Sequence, residues 1–245
     1  LDRVRKRLGL PLRVIDADEE ARLSFRSVAR HFRLEQGRSV VADIGGGSLE
    51  LVSAVKGVIQ RKVSLPWGAV RLTERFKLDQ KDPRKHVDAL RAEVRKTLRK
   101  TLPPREWAGG TVIGSGGTYT NLARMAVARR TGVVPDAVHG TVVTASEVEQ
   151  LLEWLVELGP ERRRQVAGLS AHRADIIVAG LAVTIELLEQ LEAREVAVSA
   201  YGLREGLLLE MVGADAPAPA QQDPLQLARE FVERCQGDRR HVEQV

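Results

Sequence analysis

The run Asp43-Ile44-Gly45-Gly46-Gly47-Ser48-Leu49-Glu50 constrains the fold of this chain more than any other segment. It lies among three stretches rich in β-branched residues, at 40–44, 49–55 and 58–65, which have the composition of strands. The pair Lys56-Gly57 separates the last two stretches. The sequence therefore predicts a meander of three antiparallel strands joined by tight turns.

This loop also has a chemical character. Asp43 ends one predicted strand, and Glu50 returns a second carboxylate on the next. The backbone N–H groups of glycines can converge on an oxyanion because no side chain blocks its approach. Ser48 adds a hydroxyl donor. Carboxylates beside such a cradle are typical of Mg²⁺ held between protein and substrate oxygens. A bulged hairpin that needs glycine only for its turn is the alternative interpretation.

A second glycine-rich loop, Gly114-Ser115-Gly116-Gly117-Thr118, follows a predicted strand at 111–113 and precedes a predicted helix. In this arrangement, loop amides and a helix N-terminus bind phosphate. A simple helix-entry turn is the alternative. No Gly-Lys-Ser/Thr follows the loop, which disfavours a Walker-type nucleotidase. Two such loops facing each other across a cleft would hold successive phosphates.

The rest of the chain alternates helical and strand patterns, as an α/β domain does. The opening residues predict a helix, a short strand at 12–15 and a second helix. Residues 213–223 have the composition of a linker, and residues 224–245 begin a further helix. The remaining predicted elements are helices at 69–76, about 82–102, 145–158, 174–191 and 203–211, and a strand at 195–199.

Composition excludes several classes of protein. With 43% hydrophobic and 29% charged residues in 245, the chain is not a disordered tail. One cysteine, Cys235, allows no internal disulfide, which predicts a reducing, cytoplasmic compartment. No apolar stretch has the length of a membrane span. The net charge of +5 suits a polyanionic partner, but 4% aromatics offer few stacking platforms, so we expect no specific nucleic-acid binding.

Seven segments of the chain share one pattern when taken in order. They are DEEARL (18–23), DIGGGSLELV (43–52), GAVRLTERF (68–76), IGSGGTYTNLA (113–123), AVHG (137–140), HRADIIVAGLAV (172–183) and VSAYGLREGLLLE (198–210). Together they resemble the family of exopolyphosphatases and guanosine pentaphosphate phosphohydrolases, which belongs to the actin-like ATPase superfamily. The resemblance extends over about residues 1–212 and is far more specific than either glycine loop alone.

The resemblance implies an α/β fold of two ribonuclease-H-like lobes with the active site between them. Residues 1–34 would be the C-terminal part of the first lobe. Residues 35–212 would be the second lobe, a mixed five-stranded sheet flanked by helices. Residues 213–223 would be a linker and residues 224–245 the start of a helical C-terminal domain. The family's Asp-x-Gly-Ser-Asn-Ser phosphate hairpin would lie upstream of residue 1, so we expect the 245-residue chain by itself to be a poor hydrolase.

The resemblance also implies an activity, the Mg²⁺-dependent hydrolysis of a terminal phosphoanhydride by a carboxylate-activated water. The substrate would be inorganic polyphosphate or guanosine pentaphosphate, and the longer parent protein would form a homodimer. Asp43 and Glu50 would be acidic catalytic residues that hold the metal. One of Glu19 and Glu20, for which Glu20 is favoured, would be the catalytic carboxylate of the first lobe. The phosphate-binding residues would be Gly45, Gly46, Gly47, Ser48, Gly114, Ser115, Gly116, Gly117 and Thr118.

Two departures from the family pattern support an alternative. Asp16-Ala17 stands where the family usually has Ser-Gly, and Leu49 where it usually has Thr. These changes would add a carboxylate near the site and remove a hydroxyl beside the phosphate loop. A phosphate-ligand sensor that has lost turnover is therefore the second hypothesis. A phosphotransferase of the same superfamily is the third, although nothing in the sequence indicates an adenosine pocket.

Overall fold

The secondary structure alternates helices and strands along the chain, in a computed structural model that describes residues 2–9, 13–78 and 83–213. The helices are α1 (Asp2–Leu8), α2 (Ala17–His31), α3 (Ala69–Phe76), α4 (Arg84–Thr101), α5 (Pro104–Trp107), α6 (Gly117–Thr131), α7 (Ala145–Arg163), α8 (Ile177–Gln190) and α9 (Leu203–Met211). The strands are β1 (Arg38–Ile44), β2 (Leu49–Val55), β3 (Val58–Leu65), β4 (Thr111–Ser115), β5 (Val142–Thr144) and β6 (Glu195–Val198). The helix predicted at 224–245 and most of the linker lie outside the described residues.

Six strands form one mixed sheet in the order β3-β2-β1-β4-β6-β5. Strands β1 to β3 are the predicted antiparallel meander, whereas β1, β4 and β6 run parallel. This architecture confirms the predicted α/β class, but the sheet has one strand more than the sequence predicts. The extra strand is β5, whose three residues are too few to show a period of their own and which forms by antiparallel pairing with β6.

The strand predicted at 12–15 is wrong for residues 13–15, which have no regular structure; Leu12 lies outside the described residues. Short apolar runs become strands only where a neighbouring strand completes their hydrogen bonds. Here the chain turns directly into α2 instead. Asp16 is the N-cap of that helix, and its Oδ1 accepts the Glu19 N–H at 2.8 Å.

The two faces of the sheet carry different layers. Helix α2 packs on one face, where its Phe25 and Val28 meet apolar strand residues in a small core. Helices α3, α4, α6, α7 and α8 cover the other face with the larger core. The strand residues in the small core are Val41, Val52, Ala54 and Ile113.

Helix α8 is the centre of the larger helical layer. Every residue from Ile177 to Leu188 is buried, as its nearly continuous apolar sequence predicts.

Among residues 2–9, 13–78 and 83–213, the structure contains no helix with the length and hydrophobicity that a bilayer crossing requires.

The chain divides into two compact units, residues 1–208 and 209–245, with the boundary inside α9. All predicted site residues lie in the first unit. The finer division into two lobes after residue 34 stays a prediction. Helix α2 lies before that predicted boundary, but it packs on the sheet formed by residues after the boundary.

Candidate active site

A row of polar side chains crosses four strands at one end of the α2 face. In register, Ser64 of β3, Glu50 of β2, Asp43 of β1 and Ser115 of β4 stand next to one another. Residues paired directly across strands lie on the same face of a sheet, so this row faces α2. Because β1 and β4 are parallel, both glycine loops follow the carboxyl ends of their strands on the same side of the sheet. The carboxyl ends of the strands are where α/β folds bind ligands.

Asp43 is held by two buried hydroxyls. Ser24 of α2 donates to its Oδ2 at 3.0 Å, and Ser115 donates to the same oxygen at 2.8 Å. The two serine Oγ atoms are themselves 3.0 Å apart. The other carboxylate oxygen, Oδ1, lies toward the second glycine loop, since a Cβ built on Gly116 would be 2.5 Å from it. Two donors therefore tether one oxygen and leave the other directed at the loop.

Burial shifts the ionisation of three carboxylates of the site, and neighbouring carboxylates add to the shift of Glu20 and Glu50. Burial raises the pKa of Asp43, and the hydrogen bonds from Ser115 and Ser24 oppose this. Burial also raises the pKa of Glu20, and the charge of Asp43 adds to that effect. Burial raises the pKa of Glu50, with the charges of Glu20 and Asp43 acting in the same direction. A bound cation would favour the ionised form of all three.

A cavity of about 510 Å³ opens where α2, the two glycine loops and the start of α9 meet. Of the predicted site residues, five line it: Glu20, Asp43, Gly45, Gly116 and Gly117. The other lining residues are Ile44, Thr120, Arg173, Ala200, Gly202, Leu203, Arg204 and Glu205.

Arg173 places a guanidinium against the N-terminus of α6. A Cβ built on Gly117 would be 2.0 Å from the Arg173 Cζ, so any side chain at residue 117 would displace the guanidinium from this position. The charge of Arg173 also lowers the pKa of Asp43, against the larger effect of burial. An arginine beside a helix N-terminus combines a permanent cation with unsatisfied N–H groups, an arrangement that binds phosphate oxygens.

The glycines of the first loop are not explained by the fold of their own hairpin. Gly45, Gly46 and Gly47 have no φ in the left-handed region. A Cβ on Gly45 or Gly46 would have its nearest neighbour at 3.5 Å, and one on Gly47 would meet nothing within 4 Å. The carbonyls of Gly45 and Gly46 accept the N–H groups of Ala69 and Val70 at the start of α3. A side chain at Gly47 would enter open space, whereas one at Gly46 would meet Val70 of α3 at an ordinary contact distance.

Alanine substitutions at one glycine of each loop should have different effects on the stability of the protein. Gly116 has φ +88°, and an added Cβ would press on Asp43 Oδ1, so Gly116→Ala should lower the free energy of unfolding by about 1–3 kcal/mol. Gly46→Ala should change it by less than about 0.5 kcal/mol, because the added Cβ would make only an ordinary contact, 3.5 Å from Val70 Cγ2. Urea denaturation measures both, and equal losses would contradict this account of the loops.

The remaining predicted site residues lie beside the cavity rather than on its wall. Glu50 is buried, and its Oε1 accepts a hydrogen bond from Ser64 at 3.1 Å. The hydroxyl of Ser115 is used on Asp43, and Thr118 is buried against Gly180. Whether these residues bind phosphate, together with Gly46, Gly47, Ser48 and Gly114, stays a prediction.

The two adjacent glutamates of α2 occupy different environments. Glu20 lines the cavity, whereas Glu19 forms a bidentate ion pair with Arg13, with distances of 2.7 and 2.5 Å. The hydrogen bonds from Arg13 lower the pKa of Glu19, although burial opposes them. Of the two candidates that the sequence left open, only Glu20 is placed to meet a ligand in this cavity.

The carboxylate pair fits a hard divalent cation that is shared with a substrate. Among the described residues, no group of three or more His, Cys, Asp or Glu side chains could by itself hold a metal. Mg²⁺ rarely needs such a cage, since it commonly binds one or two carboxylates, substrate phosphate oxygens and water. Asp43 and Glu50 are paired directly across two strands, which brings both carboxylates to the same face of the sheet. That they hold a metal stays a prediction.

Sequence reasoning missed Arg173 and Ser24. Arg173 stands in the segment 172–183, which matched the family pattern, but its neighbours in sequence gave no sign that it meets the second glycine loop. Ser24 follows Glu20 by four residues, which puts the two on one face of α2. That spacing is a signal that could have identified Ser24.

The fold and the site define an α/β protein of the actin-like ATPase class with an acidic, arginine-containing cleft at the edge of its sheet. The family model described as the Ppx/GppA phosphatase family matches residues 1–215. The chain belongs to that family.

Proteins of known name and structure agree with this assignment. The chain is 33% identical over 225 residues to exopolyphosphatase 1 of Mycobacterium tuberculosis, covering 90% of this chain and 64% of that protein. It superimposes on the Ppx/GppA family member of Aquifex aeolicus with TM-score 0.75 and 32% identity, covering 88% of this chain and 69% of the other. It superimposes on an exopolyphosphatase from Cytophaga hutchinsonii with TM-score 0.75 and 29% identity, covering 87% of this chain and 69% of the other.

Proposed function

We propose that the protein hydrolyses the terminal phosphoanhydride bond of inorganic polyphosphate, with guanosine pentaphosphate as a second substrate of the same chemistry. One observation carries this proposal: Glu20 and Asp43 line the same cavity as Arg173 and the N-terminus of α6. A group that can accept a proton thus shares a cavity with groups that bind phosphate. The names of the mycobacterial relatives support polyphosphate, although the chain spans only 64% of their length.

Asp43 and Glu50 would hold Mg²⁺ together with phosphate oxygens of the substrate. When bound, the ion supplies positive charge that neutralises phosphate oxygens and polarises the phosphorus. Arg173 and the N–H groups that open α6 would bind the terminal phosphate from another side. The net charge of +5 also favours approach of a polyanion.

The proposed reaction is an in-line displacement. A water oxygen forms a bond to the terminal phosphorus, and the bridging P–O bond breaks. Glu20 accepts a proton from that water, and the bridging oxygen leaves on the shortened chain. Burial and the nearby Asp43 raise the pKa of Glu20, which makes it a stronger base than an exposed glutamate. The products are orthophosphate and a polyphosphate one unit shorter.

The sensor alternative has no support from the positions of its motivating residues. Asp16 caps α2 through the Glu19 N–H, and neither it nor Ala17 lines the cavity. Leu49 is fully buried in the larger core, so its side chain points away from α2. Neither departure from the family pattern removes a group from the cavity.

Phosphate release by the full-length protein tests the proposal. With long-chain polyphosphate and Mg²⁺, orthophosphate should appear steadily, and EDTA should abolish its release. A parallel assay with guanosine pentaphosphate decides whether it is a substrate too. Protein that binds polyphosphate but releases no phosphate at any Mg²⁺ concentration would overturn the hydrolase and favour the sensor.

Arg173→Gln should lower kcat/KM for polyphosphate about 10- to 100-fold, because it removes a charge-assisted contact to phosphate. The matched control is Arg164→Gln. Arg164 is a nearby arginine that ion-pairs with Asp175 at 3.4 Å and does not line the cavity. Initial rates over a range of polyphosphate concentrations measure both variants. The same loss in the two variants would exclude a specific role for Arg173.

A further inference from the structure

We propose that Ser24 is a positioning residue: its hydroxyl fixes the orientation of the Asp43 carboxylate and ties the helix that carries Glu20 to β1. This inference deepens the proposed function and rests on it for the kinetic consequence. The geometric part concerns Ser24 and Asp43 alone and can be tested without any activity.

Asp43 needs an external constraint because its terminal torsion is soft. Rotation of a carboxylate about χ2 has a broad profile, so covalent structure alone does not decide which oxygen faces the cleft. Among the described residues, Ser24 and Ser115 donate hydrogen bonds to the Asp43 carboxylate, and Oδ2 accepts both. That arrangement leaves Oδ1 directed toward Gly116 and the cavity.

Ser24 is not equivalent to the other donor. Ser115 lies on β4, directly beside Asp43 in the sheet, so its donation holds the carboxylate within the sheet. Ser24 comes from α2, one turn after Glu20, and is 2% exposed. Its hydroxyl is 3.0 Å from both Asp43 Oδ2 and Ser115 Oγ. The hydrogen bond from Ser24 therefore connects the helix of the proposed base to the strand of the proposed metal ligand.

Loss of this connection should affect the rate more than substrate binding. Without Ser24, Asp43 keeps one donor and gains rotational freedom, and the Glu20 helix loses its polar link to β1. Arg173 and the α6 N-terminus would still bind phosphate, since the hydroxyl of Ser24 is hydrogen-bonded to Asp43 and Ser115 rather than to either of them. Small displacements of catalytic groups lower rates strongly even when the ligand still binds.

The chain offers a matched control on the same helix. Ser27 is also a buried serine of α2, and its hydroxyl has no hydrogen-bond partner among the described residues. Ser27→Ala thus removes the same atoms from the same helix without touching Asp43. Ser24→Cys is a second variant, which fills nearly the same space with a much weaker donor.

In the full-length protein, Ser24→Ala and Ser24→Cys should each lower kcat for polyphosphate about tenfold, with KM changed less than about twofold. Ser27→Ala should leave both constants near the wild-type values. Wild-type kcat in Ser24→Cys would show that volume matters rather than donation, and equal losses in Ser24→Ala and Ser27→Ala would show a general packing effect. Either result overturns the proposal.

A double-mutant cycle between Ser24→Ala and Asp43→Ala, which removes the acceptor oxygens as well as the donor, is measured by urea unfolding and tests the contact without reference to activity. The two substitutions should be non-additive, because they act on one hydrogen bond. Additive effects would overturn the proposal even in an active enzyme. Non-additive effects in a protein that releases no phosphate would instead contradict the proposed function while leaving the contact established.

Discussion

Glu20→Gln should reduce phosphate release from polyphosphate by about 10²–10⁴-fold, the range in which positioned general bases act. The substitution preserves the size and hydrogen-bonding capacity of the side chain but cannot accept the proton of the attacking water. Because Glu20 lines the cavity on the first turns of α2, the fold should be unaffected. Steady-state phosphate release at saturating Mg²⁺, with circular dichroism to verify folding, measures the effect.

The neighbouring residue provides the control. Glu19→Gln changes the same residue type one position earlier, but that carboxylate is engaged by Arg13 and lies outside the cavity. It should retain activity within about twofold, because surface ion pairs contribute little to stability. Comparable losses in the two variants would mean that α2 supports the site only through its fold, and a larger loss in Glu19→Gln would reverse the assignment.

Asp43→Asn should reduce phosphate release by about 10²–10³-fold, since it removes a charge that the proposed Mg²⁺ and phosphate arrangement requires. The asparagine oxygen can still accept from Ser24 and Ser115, so the polar row should stay intact. Because burial already raises the pKa of Asp43, removing its charge should not reduce the stability of the fold.

Asp175→Asn is the corresponding control. Asp175 lies two residues after Arg173 and pairs with Arg164, away from the cavity lining. Its substitution should leave the rate within about twofold of wild type. Phosphate release titrated with Mg²⁺ distinguishes a weaker metal requirement from a lost catalytic group. Near-normal release from Asp43→Asn at saturating Mg²⁺ would remove Asp43 from the mechanism.

The sequence predicted those parts of the fold that depend on local patterns. The bounds of α3 and α9 were predicted to the residue, and each helix begins directly after a glycine, Gly68 and Gly202 respectively. The break at Gly159-Pro160 is also present, as a non-helical Gly159 inside α7. The strand at 12–15 failed and β5 was missed because a short strand is decided by its partner, which a local pattern does not contain.

The same distinction applies to the site. Asp43 and Glu50 were recognisable because a single hairpin brings them together, so their separation in sequence already implies their pairing. Arg173 lies more than a hundred residues after Asp43 and Glu50 in the sequence. It reaches the site because its guanidinium packs against Gly117 of the second glycine loop. The link between Ser24 and Asp43 likewise joins a helix to a strand, and the order of residues along the chain does not show it.

The register of the meander has a consequence for chains that fold incorrectly. A slip of β2 by one residue against β1 would exchange the faces of its side chains. Glu50 would then enter the apolar layer now occupied by Leu49 and Leu51, where a carboxylate without a partner is strongly unfavourable. A misregistered sheet would therefore lose its core at the same time as its acidic pair. Folded but misassembled molecules should be rare, so the fraction of molecules with an ordered sheet should equal the fraction with an assembled site.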